Sequence, residues 1–228
     1  MIYTMGRAKE IILKVIPSKI ANNFIKKHHY SGKVVPNSRL HFGCFLDGEL
    51  GGVMSYGPSI NKKGTINLVK GTGWNGFIEL NRMAFSEMLP KYSESRCISV
   101  SIKLLKKYAP QVKWIVSFAD GTKCGDGTIY RASGFQLISI NKNTALRINP
   151  ITGESMHVIQ AHHKKISQKF RKWESLVGYQ FKYIYLIDKN CKLTVPVLPF
   201  SKIDEIGAGM YKGKKISIEE RNNQRLKH

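Results

Sequence analysis

The order of helix-like and strand-like segments predicts a mixed α/β fold, with a single central mixed sheet flanked by helices. Three observations carry that expectation. Apolar residues recur at helical spacing between Pro17 and Tyr30, Asp47-Gly48 separates two short apolar runs, and strand and helix patterns alternate from Phe77 onward.

In the first helix, Ile20, Ala21, Phe24, Ile25 and His28 share a face, Pro17 suits the first helical position and Gly32 lies just past the end. Residues 39–46 and 50–56 flank Asp47-Gly48 and read as a β-hairpin. Residues 58–76, rich in Gly, Asn and Lys, read as irregular loop with one short edge strand at 65–69, and a strand follows at 77–85. Ile98, Ile102 and Leu105 then mark a second helix, with Ser93 or Ser95 as N-cap, lysines at its end and Pro110 beyond it. Residues 114–119 form an apolar strand broken by Asp120-Gly121, 128–133 a short helix stopped by Gly134, and 136–140 another strand. A basic helix is expected over 162–181, with Ile166, Phe170, Trp173 and Val177 as its apolar stripe, before a last strand at 183–187. Residues 1–200 are expected to form one domain that includes this helix, and 201–228 a basic tail, partly disordered.

Hydrophobic residues make up 42% of the chain, enough to build a core. Against 37 Lys and Arg stand 15 Asp and Glu, a net charge of +22, and after residue 150 the count is 15 against 7. Such an excess is costly through self-repulsion unless an anionic partner uses it, which points to nucleic acid ahead of an acidic protein or membrane surface. There is no apolar stretch long enough to span a bilayer, and Arg7, Lys9, Glu10 and Lys14 interrupt any signal-peptide core, so a cytoplasmic protein is expected. Cys44, Cys97, Cys124 and Cys191 form no C-x-x-C pair and read as reduced thiols.

Four constellations could carry chemistry. Asp120 ends an apolar strand before a loop with glycines at 121, 125 and 127, and Tyr130 lies in the helix that follows. They suit a base and a proton donor, with equal weight on a capping Asp120 and a packed Tyr130. In 77–105, Glu79, Arg82, Ser93, Ser95 and Arg96 surround a strand-to-helix junction suited to an anionic donor, although simple serine N-caps weigh more. His29 and Tyr30 project away from the face that His28 continues, and two adjacent histidines assign no metal. Lys164, Lys165, Lys169, Arg171 and Lys172 suit phosphate contact, with Trp173 or Tyr179 for stacking, or simply a solvated helix face. The G-x-G-x-x-G at Gly71, Gly73 and Gly76 leads into a strand-like segment, so its dinucleotide-binding context fails.

The succession NFIKKHHYSG, RLHFGCFLDGELGGVMSYG, FIELNRMAFSEMLP, SESRCISVSIKLLKKYAP and WIVSFADGTKCGDGTIYRASGF resembles the phage Mom family of DNA-modification proteins. The resemblance implies a GNAT-type acyltransferase-like fold and conversion of adenine in DNA to N6-(carbamoylmethyl)adenine, which shields phage DNA from host restriction. By matching position it makes Asp120 and Tyr130 the leading catalytic pair, His29 and Tyr30 second-rank site residues, and Tyr56, Ser95, Arg82 and Ser117 further pocket candidates. The segment LPKYSESR departs from the R/Q-x-x-G-x-G/A loop that usually holds the donor's diphosphate, which leaves the donor as an acyl-CoA or another small activated molecule, with Arg82, Ser93, Ser95 and Arg96 as its contacts. A metal through His29 and Asp120 is left unassigned. The expected partner is double-stranded DNA, with the target adenine flipped out, Asp120 as base, Tyr130 protonating the leaving group, and Tyr30 or Tyr56 stacking on the base. Two other readings stay open: a non-catalytic nucleic-acid-binding protein on the same fold, and an acyltransferase acting on RNA. A basic protein acceptor would be repelled.

Overall fold

A computed structural model describes residues 6–176, 178–211, 214–217, 219–220 and 223. After a 3-10 turn at Arg7–Glu10 come β1 (Ile12–Val15), α1 (Ser18–His28), β2 (Leu40–Leu46), β3 (Glu49–Gly57), α2 (Lys62–Ile66), β4 (Phe77–Phe85), α3 (Ser93–Tyr108), β5 (Trp114–Asp120), α4 (Thr128–Ala132) and β6 (Gln136–Asn143). The chain continues through β7 (Leu146–Ile148), β8 (Ser155–His157), α5 (Val158–His163), α6 (Ser167–Phe170), β9 (Glu174–Ser175), β10 (Gly178–Leu186), α7 (Ser201–Glu205), β11 (Met210–Tyr211) and β12 (Lys214–Lys215). It forms two compact units. The first comprises residues up to 118 with 128–138 and 182–198, and the second 119–127, 139–181 and 199 onward.

The fold class is the mixed α/β arrangement that the segment order predicts. A seven-stranded sheet runs β1-β2-β3-β4-β5-β10-β6. β1 to β4 are antiparallel neighbours, while β4 and β5 pair in parallel from Phe77↔Trp114 to Leu80↔Ser117, as the α3 crossover between them requires. The hairpin forms because Asp47 (φ 53°) and Gly48 (φ 83°) both take left-handed conformations, and such a turn matches the twist of β2 and β3. Opposite β3 the register slips: Ser55 pairs with Arg82 but Tyr56 with Leu80, which leaves Asn81 as the extra residue of a bulge.

α1 lays Ala21 and Ile25 on Val53 and Ala84 of the sheet, with Phe24 at the margin. α3 buries Cys97, Ile98, Ile102 and Leu105. A further cluster joins Phe77, Trp114, Val116, Ile138 and Ile184 to Leu68 and Val69 of the β3–β4 connection. All four cysteines are free. The second unit holds a small sheet in the order β8-β7-β9, a core of Met156, Ala161 and Phe170, and the β11–β12 pair.

Several local expectations are corrected. Pro17 is the N-cap of α1 and not its first helical residue. Residues 65–69 are not an edge strand: Thr65 and Ile66 finish α2, and only Val69 makes an isolated bridge, to Leu193. Neither Ser93 nor Ser95 caps α3. The N-cap is Tyr92, and both serine hydroxyls donate backwards, to the carbonyls of Pro90 and Tyr92. The basic helix over 162–181 does not form. Lys165 adopts φ 55°, which ends one short helix before another begins, and Glu174 and Ser175 extend to pair with β7. The apolar spacing nevertheless marks real packing, because Phe170 is buried with Ile166 and Trp173 against it, while Val177 lies outside the described residues.

Trp114 couples three of these features. Its ring stacks on Phe77 at 4.3 Å, it is fully buried, and its indole N–H donates to Thr72 Oγ1 at 3.0 Å. Trp114→Ala is expected to destabilise the protein by about 3–5 kcal/mol, as truncating a buried tryptophan does. Urea denaturation of the variant beside the parent checks this, and Trp114→Phe should recover the larger part.

Candidate functional site

In the first unit, polar side chains collect where α1 ends and where the β4 bulge interrupts the sheet. His29 is the C-cap of α1, its backbone N–H bonded to Ile25 O at 2.9 Å. The Ser31 backbone N–H donates to His29 Nδ1 at 3.1 Å, and the Ser31 hydroxyl lies 2.8 Å from the same nitrogen. Nδ1 is therefore an acceptor, and the neutral ring carries its proton on Nε2. Burial, seconded by the Arg82 charge, pushes the imidazole down to about 4. Tyr30, 49% exposed, places its ring 4.2 Å from that of His29. His28 instead stacks on Phe24 at 4.3 Å, the packed role its spacing predicts.

Arg82 is fixed by two carbonyls, donating from Nε to Lys33 O at 3.0 Å and from Nη1 to Asn81 O at 2.8 Å. Its charge also reaches Glu79. Burial pushes that carboxyl up, while hydrogen bonds from Ser59 and Asn81 and the Arg82 charge pull it back. Ser38 Oγ donates to Asn81 Oδ1 at 3.0 Å, and the His41 ring nitrogen lies 2.7 Å from Ser55 Oγ on the paired strand. Asn81, His41 and Ser59 are functional candidates that sequence reasoning missed, and Glu79 entered only as one member of a junction. The available signal was polarity inside apolar strands, Glu79 and Asn81 on either side of buried Leu80.

Three predicted hydroxyl residues are interior to this unit. Tyr56 is fully buried, its OH 2.6 Å from Ser101 Oγ, and burial pushes the phenol above its ordinary range. Ser117 is equally buried and donates to Leu80 O at 3.1 Å, at the last pair of the β4–β5 ladder. Tyr130 packs between Phe135 and Tyr183, with ring centroids 5.4 and 5.2 Å away. At the start of α3, Tyr92 takes φ 69°, supplying the left-handed turn for which glycine is the usual residue. Ser93 is buried, and the Arg96 Nε is buried with no hydrogen-bond partner among the described residues.

In the second unit, Asp120 Oδ1 accepts from the Thr122 backbone N–H at 3.0 Å, so the carboxylate caps its own turn and not a helix. The turn is tightly held: Gly121 N–H donates to Tyr179 O at 2.8 Å, and Thr122 lies so close to Gly178 that a Cβ there would collide with the Thr122 hydroxyl. Burial and then the Asp120 charge push the Cys124 thiol up. Lys164, Lys165, Lys169, Arg171 and Lys172 are all exposed, on short helices and turns. Beside them, Arg147, His162, Ser167, Phe170 and Arg171 line a cavity of about 560 Å³, and Arg147 lies over the Phe170 ring at 5.7 Å. Among the described residues no group of three His, Cys, Asp or Glu side chains is placed to hold a metal, and no helix is long and apolar enough to cross a membrane.

Residues 10–202 match the Mom protein family. A relative from Escherichia phage Mu, named methylcarbamoylase mom, is 32% identical over 194 residues, covering 81% of this chain and 79% of its own. Similar solved structures include an N-acetyltransferase from Staphylococcus aureus (10% identity, TM-score 0.48, 78% of this chain and 99% of that one). A spermidine/spermine N-acetyltransferase from Vibrio cholerae is similar at 9% identity and TM-score 0.48, over 81% of this chain and 97% of that one.

The state of His29 has a measurable consequence. An unfolded imidazole titrates near 6.5, whereas the folded one titrates at about 4. Between those values the unfolded chain holds a proton that the folded chain lacks, so stability should rise with pH through that window and fall as acid is added. His29→Asn should flatten that part of the stability profile, and ¹H–¹⁵N imidazole NMR should show His29 titrating near the lower value. Titration of His29 between pH 6 and 7 would contradict the assignment.

Proposed function

Because the chain belongs to the Mom protein family, we propose that it transfers a carbamoylmethyl group to N6 of adenine in double-stranded DNA, acting in a bacterial host's cytoplasm and shielding phage DNA from restriction enzymes. The observation that carries this reading is the 32% identity, sustained over 194 residues, with a relative named for methylcarbamoyl transfer. The net charge of +22 agrees with a polyanionic substrate.

The chemistry sets two demands. Adenine N6 is a weak nucleophile and is paired within the duplex, so the base must leave the stack and lose an N6 proton as the new N–C bond forms. In this reading Asp120 takes that proton, the bond between the donor carbon and its leaving group breaks, and Tyr130 returns a proton to the leaving group. His29 acts as a neutral donor, because its Nδ1 is occupied by Ser31 and its remaining N–H is free of the charge that protonation would bring. Arg82, anchored by two carbonyls, supplies fixed positive charge for negative charge that develops on the donor, at no cost of reorganisation. Tyr30 is the exposed ring suited to stack on an extruded base, a role for which fully buried Tyr56 is not placed. The donor in this step is a small activated molecule that carries its leaving group on the methylene carbon, and the unspent Arg96 Nε suits an anionic group on it. Lys164, Lys165, Lys169, Arg171 and Lys172 hold the DNA backbone.

Nucleoside mass spectrometry of DNA and RNA from cells expressing the protein tests the reaction. A new adenine derivative in DNA is expected, lost in Asp120→Asn while that variant still folds and binds DNA. An unmodified DNA pool sinks the reading, and a derivative confined to RNA moves the acceptor. Separately, replacing Lys164, Lys165, Lys169 and Lys172 with glutamine should weaken DNA binding and shallow its dependence on salt by about 0.9 in log–log slope for each phosphate no longer neutralised.

A further inference from the structure

We propose that the connection between β3 and β4 is a second nucleic-acid contact, in which Trp74 stacks on an unpaired base and Lys70 and Lys113 hold the neighbouring phosphates. The inference rests on the reading that the partner is DNA, but not on the reaction carried out there.

β3 ends at Gly57 and its antiparallel neighbour β4 begins at Phe77, so residues 58–76 join strands that a two-residue turn could connect, as Asp47-Gly48 does for β2 and β3. α2 occupies Lys62–Ile66 of that connection, and the residues after it are held to the core. Leu68 and Val69 are buried in the core, and Lys70 N–H donates to Lys192 O at 2.9 Å. Thr72 Oγ1 donates to Val69 O at 2.8 Å and accepts from the buried Trp114 indole at 3.0 Å, while Lys113 N–H donates to Gly76 O at 2.7 Å. Two residues beyond the Thr72 anchor, Trp74 is left 57% exposed, and Ile60 on the same connection is 83% exposed. The connection buries Leu68 and Val69 and displays its one indole on a fixed base, which lowers the entropic cost of using that ring to bind.

The surroundings select the ligand. Lys62 Nζ lies 4.2 Å from the Trp74 ring centroid, a cation on the face of the indole. Trp74 also lines a cavity of about 390 Å³, with Lys70, Gly71, Thr72, Gln111 and Lys113 among its walls and no carboxylate. Lys113 pairs with Asp188 at 3.6 Å, and that carboxylate is not among the residues lining the cavity. A flat aromatic beside a small cationic cavity matches one base and its phosphates. A protein partner would call for a broader apolar patch. The base must be unpaired, because a paired base has both faces stacked within the duplex, and extruding a nucleotide itself creates an unpaired partner.

The test measures binding and not modification. Fluorescence anisotropy with the full chain would compare a duplex oligonucleotide carrying one unpaired base with its fully paired counterpart. Trp74→Ala is expected to weaken binding to the first by about tenfold, in the range measured for removing a base–aromatic stack, and to the second by much less, while Trp74→Phe keeps most of the affinity. Lys70→Ala should lower the log–log salt slope by about one. Unchanged affinity in Trp74→Ala, or equal losses on both duplexes, would overturn the proposal. Thermal melting of the variants, expected to match the parent for so exposed a residue, separates binding from folding. A selective loss would stand even if no adenine is modified, and failure here would leave the reaction untouched.

Discussion

The parallel pairing of β4 with β5 is the contact on which the large sheet depends. It is short, four residue pairs from Phe77↔Trp114 to Leu80↔Ser117, yet it joins the antiparallel run β1 to β4 to the strands beyond it. Parallel neighbours need a crossover, and α3 supplies it, burying Ile98, Ile102 and Leu105. The stack of Phe77 on Trp114 stands at the start of the ladder and the Ser117 bond to Leu80 O at its end. Past Leu80 a bulge at Asn81 interrupts β4, and Glu79, Asn81 and Arg82 are the polar residues on either side of that point.

Those polar groups sit in a chain with a large positive excess, and the local result is restraint of charge. His29 is kept neutral by burial and by Arg82, and the Glu79 carboxyl is pushed toward its neutral form by burial. Arg82 is the fixed cation that acts on both, held in place by two carbonyls. A neutral histidine beside a fixed arginine is suited to negative charge that develops on a bound molecule. The exposed lysines of the second unit act on a longer scale, where salt screens them and where only a polyanion gathers enough contacts to matter.

Elements defined by neighbouring residues were legible in the sequence. The hairpin needed only Asp47-Gly48 between apolar runs, β4 an apolar stretch of strand length, and α3 the spacing of Ile98, Ile102 and Leu105. The 162–181 segment misled because its apolar residues do recur at helical spacing. They meet through two short helices and a turn, and the left-handed Lys165 has no signature in composition. The serines before Cys97 misled for a related reason, since a hydroxyl that can cap a helix can equally donate to a preceding carbonyl, and here the local backbone favours the second. Glu79 and Asn81 were visible as polar residues in an apolar strand, but their partners Ser59, Ser38 and Arg82 come from register and bulge.

By itself the sequence determined the chain's own charge, the fold class and the family, because net charge, apolar periodicity and a succession of motifs are properties of the chain read in order. Tertiary structure decided which candidates are spent and which remain available. Tyr56 and Ser117 resemble Tyr30 as candidates on paper, yet the first two are fully buried while Tyr30 is half exposed. The physical reason is that accessibility and protonation depend on desolvation and on neighbours brought from distant parts of the chain, such as Arg82 beside His29 and Ser101 beside Tyr56, and sequence spacing does not encode those distances.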